Sequence, residues 1–243
     1  MKLIIPQWSA PKNIKAFSST RFDGVSNGVY KGLNLGTHVG DDESIVIQNR
    51  NRLVKHSNMP SNPVWLNQTH STTVLNIGSP TESILDADGL FTQQPNVVCS
   101  AMTADCLPVL LTNTQGSQVA AVHAGWRGLA NGILENAVEK FDGEVIAWLG
   151  PAIGKNAFEV GDDVVNAFVE FDEHAIEAFQ PQSQPQANKY LADIGLLATQ
   201  RLNRAGVQSV FNSNLCTYRD ADSFYSYRRD GITGRQAAFI WIE

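Results

Sequence analysis

Apolar positions along the chain follow two periods. Val109, Leu110 and Leu111 make a run too short for a helix, Asn113 to Ser117 carries turn residues, and Gln118 to Val122 is apolar again. That pattern predicts two strands returning antiparallel on one another. Ile14 to Thr20, Val64 to Leu66, Val74 to Leu75, Glu144 to Leu149, Val207 to Phe211, Phe224 to Tyr227 and Ala237 to Ile242 read as further strands. Helical spacing takes over in Glu43 to His56, after Asp41 and Asp42, which sit at the positive end of its dipole. It recurs in one stripe of Leu129, Ile133, Leu134 and Ala137, in Asp162 to Phe179 as one or two helices, and in Leu191, Ile194, Ala198 and Leu202 up to Gly206. Arg21 to Gly36 is dense in Gly, Asn and Asp and reads as a loop, and Asp86 to Thr92 as another turn. Gln180 to Asn188 is the low-complexity piece, read as a surface loop.

Composition narrows the class. At 243 residues, 43% hydrophobic and 17% charged, the chain has the balance of a globular protein of one large or two small domains. No apolar run approaches the roughly 20 residues of a membrane span. The opening MKLIIPQWSAPKNIK lacks the apolar core of an export signal, so a cytoplasmic location is expected. Three cysteines, Cys99, Cys106 and Cys216, make an odd count and are expected as thiols. A net charge of −6 disfavours nucleic acid and anionic membrane as partners, while leaving room for a local basic pocket.

The candidate chemistry begins where the two central strands meet. An antiparallel return brings Cys106 and His123 to the same edge, as metal ligands or as a thiolate and its base. His70 lies in the polar stretch Asn67 to Ser71, with a structural role and a ligand role both open. Arg127, at the start of the helix after His123, stands either at an anion site or at a tight packing turn. Arg228, Arg229 and Arg235 flank an expected Gly-containing hairpin with Arg219 nearby, which suits a phosphate or carboxylate pocket or a charged hairpin in solvent. Gly24 to Gly28 spells a nucleophile elbow, but the strand and helix that motif needs do not flank it. Walker A, dinucleotide, HExxH and zinc-deaminase signatures are absent.

Taken in order, LNLGTHVGDD with Asn49-Arg50, QTHS, ADGLFT, TADCLPVLL, AAVHAGWRG, LGPAIG with FEVG, and SYRRDGITGRQAA resemble the YfiH family from about Arg21 to the C-terminus. The resemblance implies an α/β (α+β) fold of layered α/β/β/α type with mixed sheets, in one domain spanning 1–243. It implies metal ligation by His70, Cys106 and His123, with zinc expected and copper possible as the metal. It also brings the activities assigned in that family: purine nucleoside phosphorylase, methylthioadenosine phosphorylase and adenosine deaminase.

Three protein ligands with one position open is the arrangement of a catalytic zinc. Asp105 is then the expected proton carrier. Asn34 and His38 are expected to contact the purine nucleoside, and Arg50, Arg127, Arg228 or Arg229 to bind phosphate. Laccase chemistry fits poorly, because a multicopper cluster takes about ten histidines, often in HxH pairs, and this chain has five and no such pair. A single copper on two His, Cys106 and Met102 stays formally open. So do a metal-free Cys106 hydrolase or amidase acting in peptidoglycan editing, a binding module with a structural metal, and either a monomer or a homodimer.

Overall fold

Two β-sheets stack face to face, and helices cover both outer faces. The computed structural model describes residues 1–182 and 188–243. One sheet is antiparallel and runs Leu3–Ile4, Ile14–Ser19, Gln236–Ile242, Cys99–Thr103. The other runs Ser209–Asn212, Val145–Leu149, Leu107–Asn113, Val119–Ala124, Gly89–Thr92, Val74–Asn76; its two outermost pairs are parallel and its inner pairs antiparallel. This is the layered α/β/β/α arrangement with mixed sheets that the motifs implied.

The central strands lack a polar face because both of their faces are covered. In Leu107–Asn113 all seven residues are buried. Val109 and Leu111 join Ala120, Val122, Leu134, Leu197 and Leu202 beneath the helices, while Leu110 points the other way, to Trp148, Ala121, Cys99 and Ile240 between the sheets. The period of two therefore sorts one apolar run into two cores. A third core lies on the outer face of the four-stranded sheet, where Leu53 of the Glu43–Ser57 helix meets Phe17, Phe239 and Trp241. Cys99 sits at zero exposure between the sheets, and burial pushes its thiol up to about 12.

Three expectations need correction. The helix after His123 is two, Trp126–Ala130 and Ile133–Val138, separated at Gly132, whose φ of +96° no helix accommodates. Asp86 to Thr92 is more than a turn, since Leu85–Asp86 and Gly89–Thr92 are strands, the second buried throughout. Phe224 to Tyr227 is not a strand: Ser226 Oγ accepts from Arg229 N at 3.2 Å and caps a single helical turn, Tyr227–Asp230. Of the low-complexity piece, 183–187 lie outside the described residues. Among the described residues no helix is long and apolar enough to cross a membrane.

Candidate metal centre

The central hairpin sets the geometry. Its register pairs Pro108 with His123 and Leu107 with Ala124, so Cys106, just ahead of one strand, meets His123 near the end of the other. His70 arrives from the loop between Leu66–Asn67 and Val74–Asn76, with φ of +63°, a left-handed conformation costly for a residue with a Cβ.

What holds that loop is one carboxylate. Asp88, at zero exposure, accepts at Oδ2 from Thr69 N (3.1 Å), Ser71 N (2.7 Å) and Ser71 Oγ (2.7 Å). Its Oδ1 accepts from His70 N at 3.0 Å and from His123 Nδ1 at 2.8 Å. A single side chain thus shapes the His70 backbone and fixes the His123 tautomer, leaving His123 Nε2 for the centre. Gln68 ties the same loop to the other sheet, donating to Met102 O (2.7 Å) and accepting from Met102 N (2.8 Å). Two glycines make the approach possible: a Cβ on Gly125 would lie 2.5 Å from His70 Cδ2, and one on Gly128 would lie 2.9 Å from Ser71 O.

The donor atoms of His70, Cys106 and His123 all lie within 4.8 Å of one another, with Cys106 Sγ 3.7 Å from His70 Nε2. Burial opposes the charge on Cys106, but the positive His123 and hydrogen bonds from both imidazoles outweigh it and hold the thiol well below its usual range. Burial likewise opposes the charge on His123; the thiolate and Asp88 overcome it and push the imidazole up. Asp88 resists ionisation through burial, yet its bonds to His123 and Ser71 bring it down to about 2. Two imidazole nitrogens and a thiolate, without a fourth side chain of ligating type in the group, suit a borderline-soft ion with one position left open.

Beside these donors lies a cavity of about 270 Å³, walled also by His38, Gln68, Thr103, Tyr227 and Arg235. Of the residues expected to meet substrate, only His38 and the three donors line it. Asp105, with φ of +94°, turns its carboxylate to Thr217 Oγ1 (2.6 Å), Ser226 Oγ (3.0 Å) and Arg228 N (2.7 Å) and so clamps the Ser226 turn to the Cys106 loop. Its carboxylate is engaged in this way, and Asp105 is not among the residues that line the cavity. Asn34 is fully buried: its amide donates to Asp41 Oδ2 and its oxygen accepts from Gly36 N and Arg235 N.

The expected phosphate arginines are committed elsewhere. Arg50 donates twice to Leu35 O and stacks 3.9 Å over Trp65. Arg127 lies over the neighbouring Trp126 ring on the surface. Arg228 donates to Glu159 O, and Arg229 is consumed by Asp230 and the carbonyls of Thr217, Tyr218 and Phe224. The cationic wall belongs instead to Arg235, seven residues downstream of Arg228 in the same motif. Arg235 belongs to the arginine group that the sequence marked for an anion pocket; Thr103 and Tyr227 were not anticipated, although both stand inside the motifs TADC and SYRRDG. A larger cavity of about 490 Å³, bounded by the Gly150 to Ala157 and Asn212 to Arg219 segments and including Cys216, contains none of the three donors.

A layered sandwich whose edge carries a His-Cys-His group able to hold a metal ion, beside a small cavity, defines the class of protein, and comparison with known proteins names its family. Residues 15–243 match the family described as multi-copper polyphenol oxidoreductase laccase. A Haemophilus influenzae protein named purine nucleoside phosphorylase is 50% identical over 246 residues, covering 100% of both chains. An Escherichia coli protein named purine nucleoside phosphorylase YfiH is 50% identical over 244 residues, 99% of each. The crystal structure of a Neisseria meningitidis protein matches with a TM-score of 0.94 at 44% identity, over 100% of both chains. The chain belongs to this laccase-domain family, the YfiH proteins.

Proposed function

We propose that the protein is a purine nucleoside phosphorylase, converting adenosine, inosine or methylthioadenosine to free base and a ribose 1-phosphate, with adenosine deaminase activity at the same centre. The observation that carries this reading is the convergence of three donor atoms, within 4.8 Å of one another, on a cavity of nucleoside scale with a cationic wall. At about 270 Å³ the cavity stands near the small end of ligand pockets, which run from roughly 300 Å³ upward, so the site suits a small molecule rather than a polymer. Full-length relatives bearing the phosphorylase name support it.

His70, Cys106 and His123 would hold zinc, and the ion would supply Lewis acidity, on which both leaving-group stabilisation and water activation draw. The chain's own residues do the rest. Asp88 presents His123 Nε2 to the centre through the 2.8 Å bond at Nδ1. With Asp105 engaged in the clamp, His38 is the cavity's remaining imidazole outside the donor set and the group able to take or give a proton. Burial, then Arg235 and Arg50, lower its pKa from 6.5, so it stands neutral at pH 7 as an acceptor. Tyr227, exposed at the mouth, offers a ring face to a purine.

A second reading has one observation in its favour: Cys106, His123 and Asp88 are ordered as nucleophile, base and orienting acid, the layout of a cysteine hydrolase. The family's laccase description meets a single group of three potential ligands among the described residues, short of a multicopper cluster. Product chromatography separates the readings. Purified protein of measured metal content is given adenosine and inosine, with and without phosphate, beside Cys106→Ala. Phosphate-dependent free base, lost in the variant, is the expected result. Intact nucleosides under every condition, with metal bound, would refute the purine reading and move the test to amides.

A further inference from the structure

Arg235 differs from the other arginines of the site region. One nitrogen, Nη1, is held by the carbonyls of Thr233 (3.1 Å) and Gly234 (3.0 Å), and the rest of the guanidinium has no carboxylate partner among the described residues. It is half-buried and lines the cavity of the donor cluster. A cation taken partly out of water with no carboxylate bonded to it is costly even with Cys106 and Asp105 near enough to act on it, and here the position is built rather than accidental. Its stem lies where a Cβ on Gly36 would come within 2.8 Å of Cγ, and its backbone N donates to Asn34 Oδ1 at 2.9 Å. Asn34 in turn binds Gly36 and Asp41, so the segment around His38 and the residue just ahead of the last strand, Arg235, are tied together through one side chain.

Across the strand pair a second, independent observation points to a ligand. Gln236 pairs with Thr103 in the four-stranded sheet, which places Thr103 beside Arg235. Thr103 lines the same cavity, is 2% exposed, and its Oγ1 has no hydrogen-bond partner. Buried hydroxyls are rarely left unmade. A guanidinium fork, a hydroxyl and an imidazole around one space match an oxyanion with several acceptor oxygens better than a planar carboxylate.

We propose that Arg235, Thr103 and His38 form the oxyanion subsite of this cavity, and that its ligand is inorganic phosphate, the attacking group of phosphorolysis. The proposal rests on the phosphorylase reading and adds the residues that bind the second substrate. A phosphate oxygen supplies the electron pair that forms its bond to C1′. The C1′–N9 pair leaves with the purine, which takes up one proton, and no oxidant or reductant enters. Arg235 holds the phosphate charge in the site while the bond forms, and the donor cluster lines the same cavity.

The test is the rate of inosine phosphorolysis against phosphate concentration, paired with the thermal shift that inorganic phosphate alone gives the metal-loaded protein. Variants are Arg235→Gln, Arg235→Lys, Thr103→Val and, as control, Arg228→Gln. Loss of a charge-assisted fork raises the phosphate KM of Arg235→Gln about tenfold or more, leaves the inosine KM within about threefold, and abolishes the phosphate-induced shift. Lysine restores part of it, Thr103→Val raises the phosphate KM alone, and Arg228→Gln behaves as wild type. Unchanged phosphate KM and thermal shift in Arg235→Gln overturn the subsite. Should that variant fail to fold, the same lack of change in Thr103→Val does so. A wild-type protein that shows no phosphate-dependent turnover, yet loses its phosphate shift with Arg235→Gln, refutes the phosphorylase reading and keeps the anion subsite. Absence of both effects in the wild type sinks the two together.

Discussion

Replacing Asp88 by Asn removes a charge and exchanges one acceptor for a donor at the hub of the site. The carboxylate accepts from five groups: three on the Thr69 to Ser71 loop at Oδ2, and His70 N and His123 Nδ1 at Oδ1. The less costly orientation of the amide turns its oxygen to the loop, and its NH2 then faces His70 N–H and His123 Nδ1. His70 N–H loses its acceptor, which costs about 1–3 kcal/mol for a buried group. Loss of charge assistance at the other bonds brings the total to roughly 3–5 kcal/mol, the cost of breaking a buried pair. His123 must move its proton to Nε2, the atom that faces Cys106, so metal affinity drops by about 10–100-fold. Urea unfolding of the metal-free protein measures the first quantity, and chelator competition on the folded variant the second. A variant of unaltered unfolding midpoint, binding zinc within about twofold of wild type, would refute the account of Asp88 as the device that orients both histidines.

Gly125→Ala sets a Cβ 2.5 Å from His70 Cδ2; the variant is expected to stay folded and lose bound metal, and full metal content by elemental analysis would count against the close approach. Trp148, 2% exposed between the sheets, should cost about 3–5 kcal/mol in urea as Trp148→Ala; a loss under about 1 kcal/mol would mean that the sheets share no tight core. His38 has its folded pKa lowered from 6.5, first by burial and then by Arg235 and Arg50. Its contribution to stability is therefore complete above 6.5 and diminishes as pH falls toward the folded value. An NMR titration should place the midpoint below 6.5, moving up in Arg235→Gln, and a midpoint at or above 6.5 in the wild type contradicts the placement. Chelation should abolish nucleoside turnover and leave far-UV circular dichroism unchanged, because none of the three apolar cores includes a metal donor; unfolding on chelation would make the metal structural.

Much of this molecule is local in origin. The central hairpin and the last strand follow from short apolar runs, buried throughout, and the Glu43–Ser57 helix from helical spacing that buries one face. The meeting of Cys106 and His123 needs only the hairpin register. His70 was different: its bare residue reading left ligand and structural roles open, and the family motif, not the spacing, singled it out.

Tertiary structure decided the rest. Sequence alone grouped Arg228, Arg229 and Arg235 around one anion pocket and favoured the first two for phosphate, because charge density is visible in a string and commitment to carbonyls is not. Arg229 spends its guanidinium on three carbonyls and Asp230, while Arg235, one residue ahead of the last strand, engages carbonyls through Nη1 alone. Asp105 reads as a proton carrier beside Cys106, until its left-handed backbone turns the carboxylate to three donors far along the chain. The elements were written in side-chain periodicity, which neighbours in sequence share. Which polar groups remain unpaired, and so available to a substrate, depends on donors and acceptors a hundred residues away, and only the folded chain brings those together.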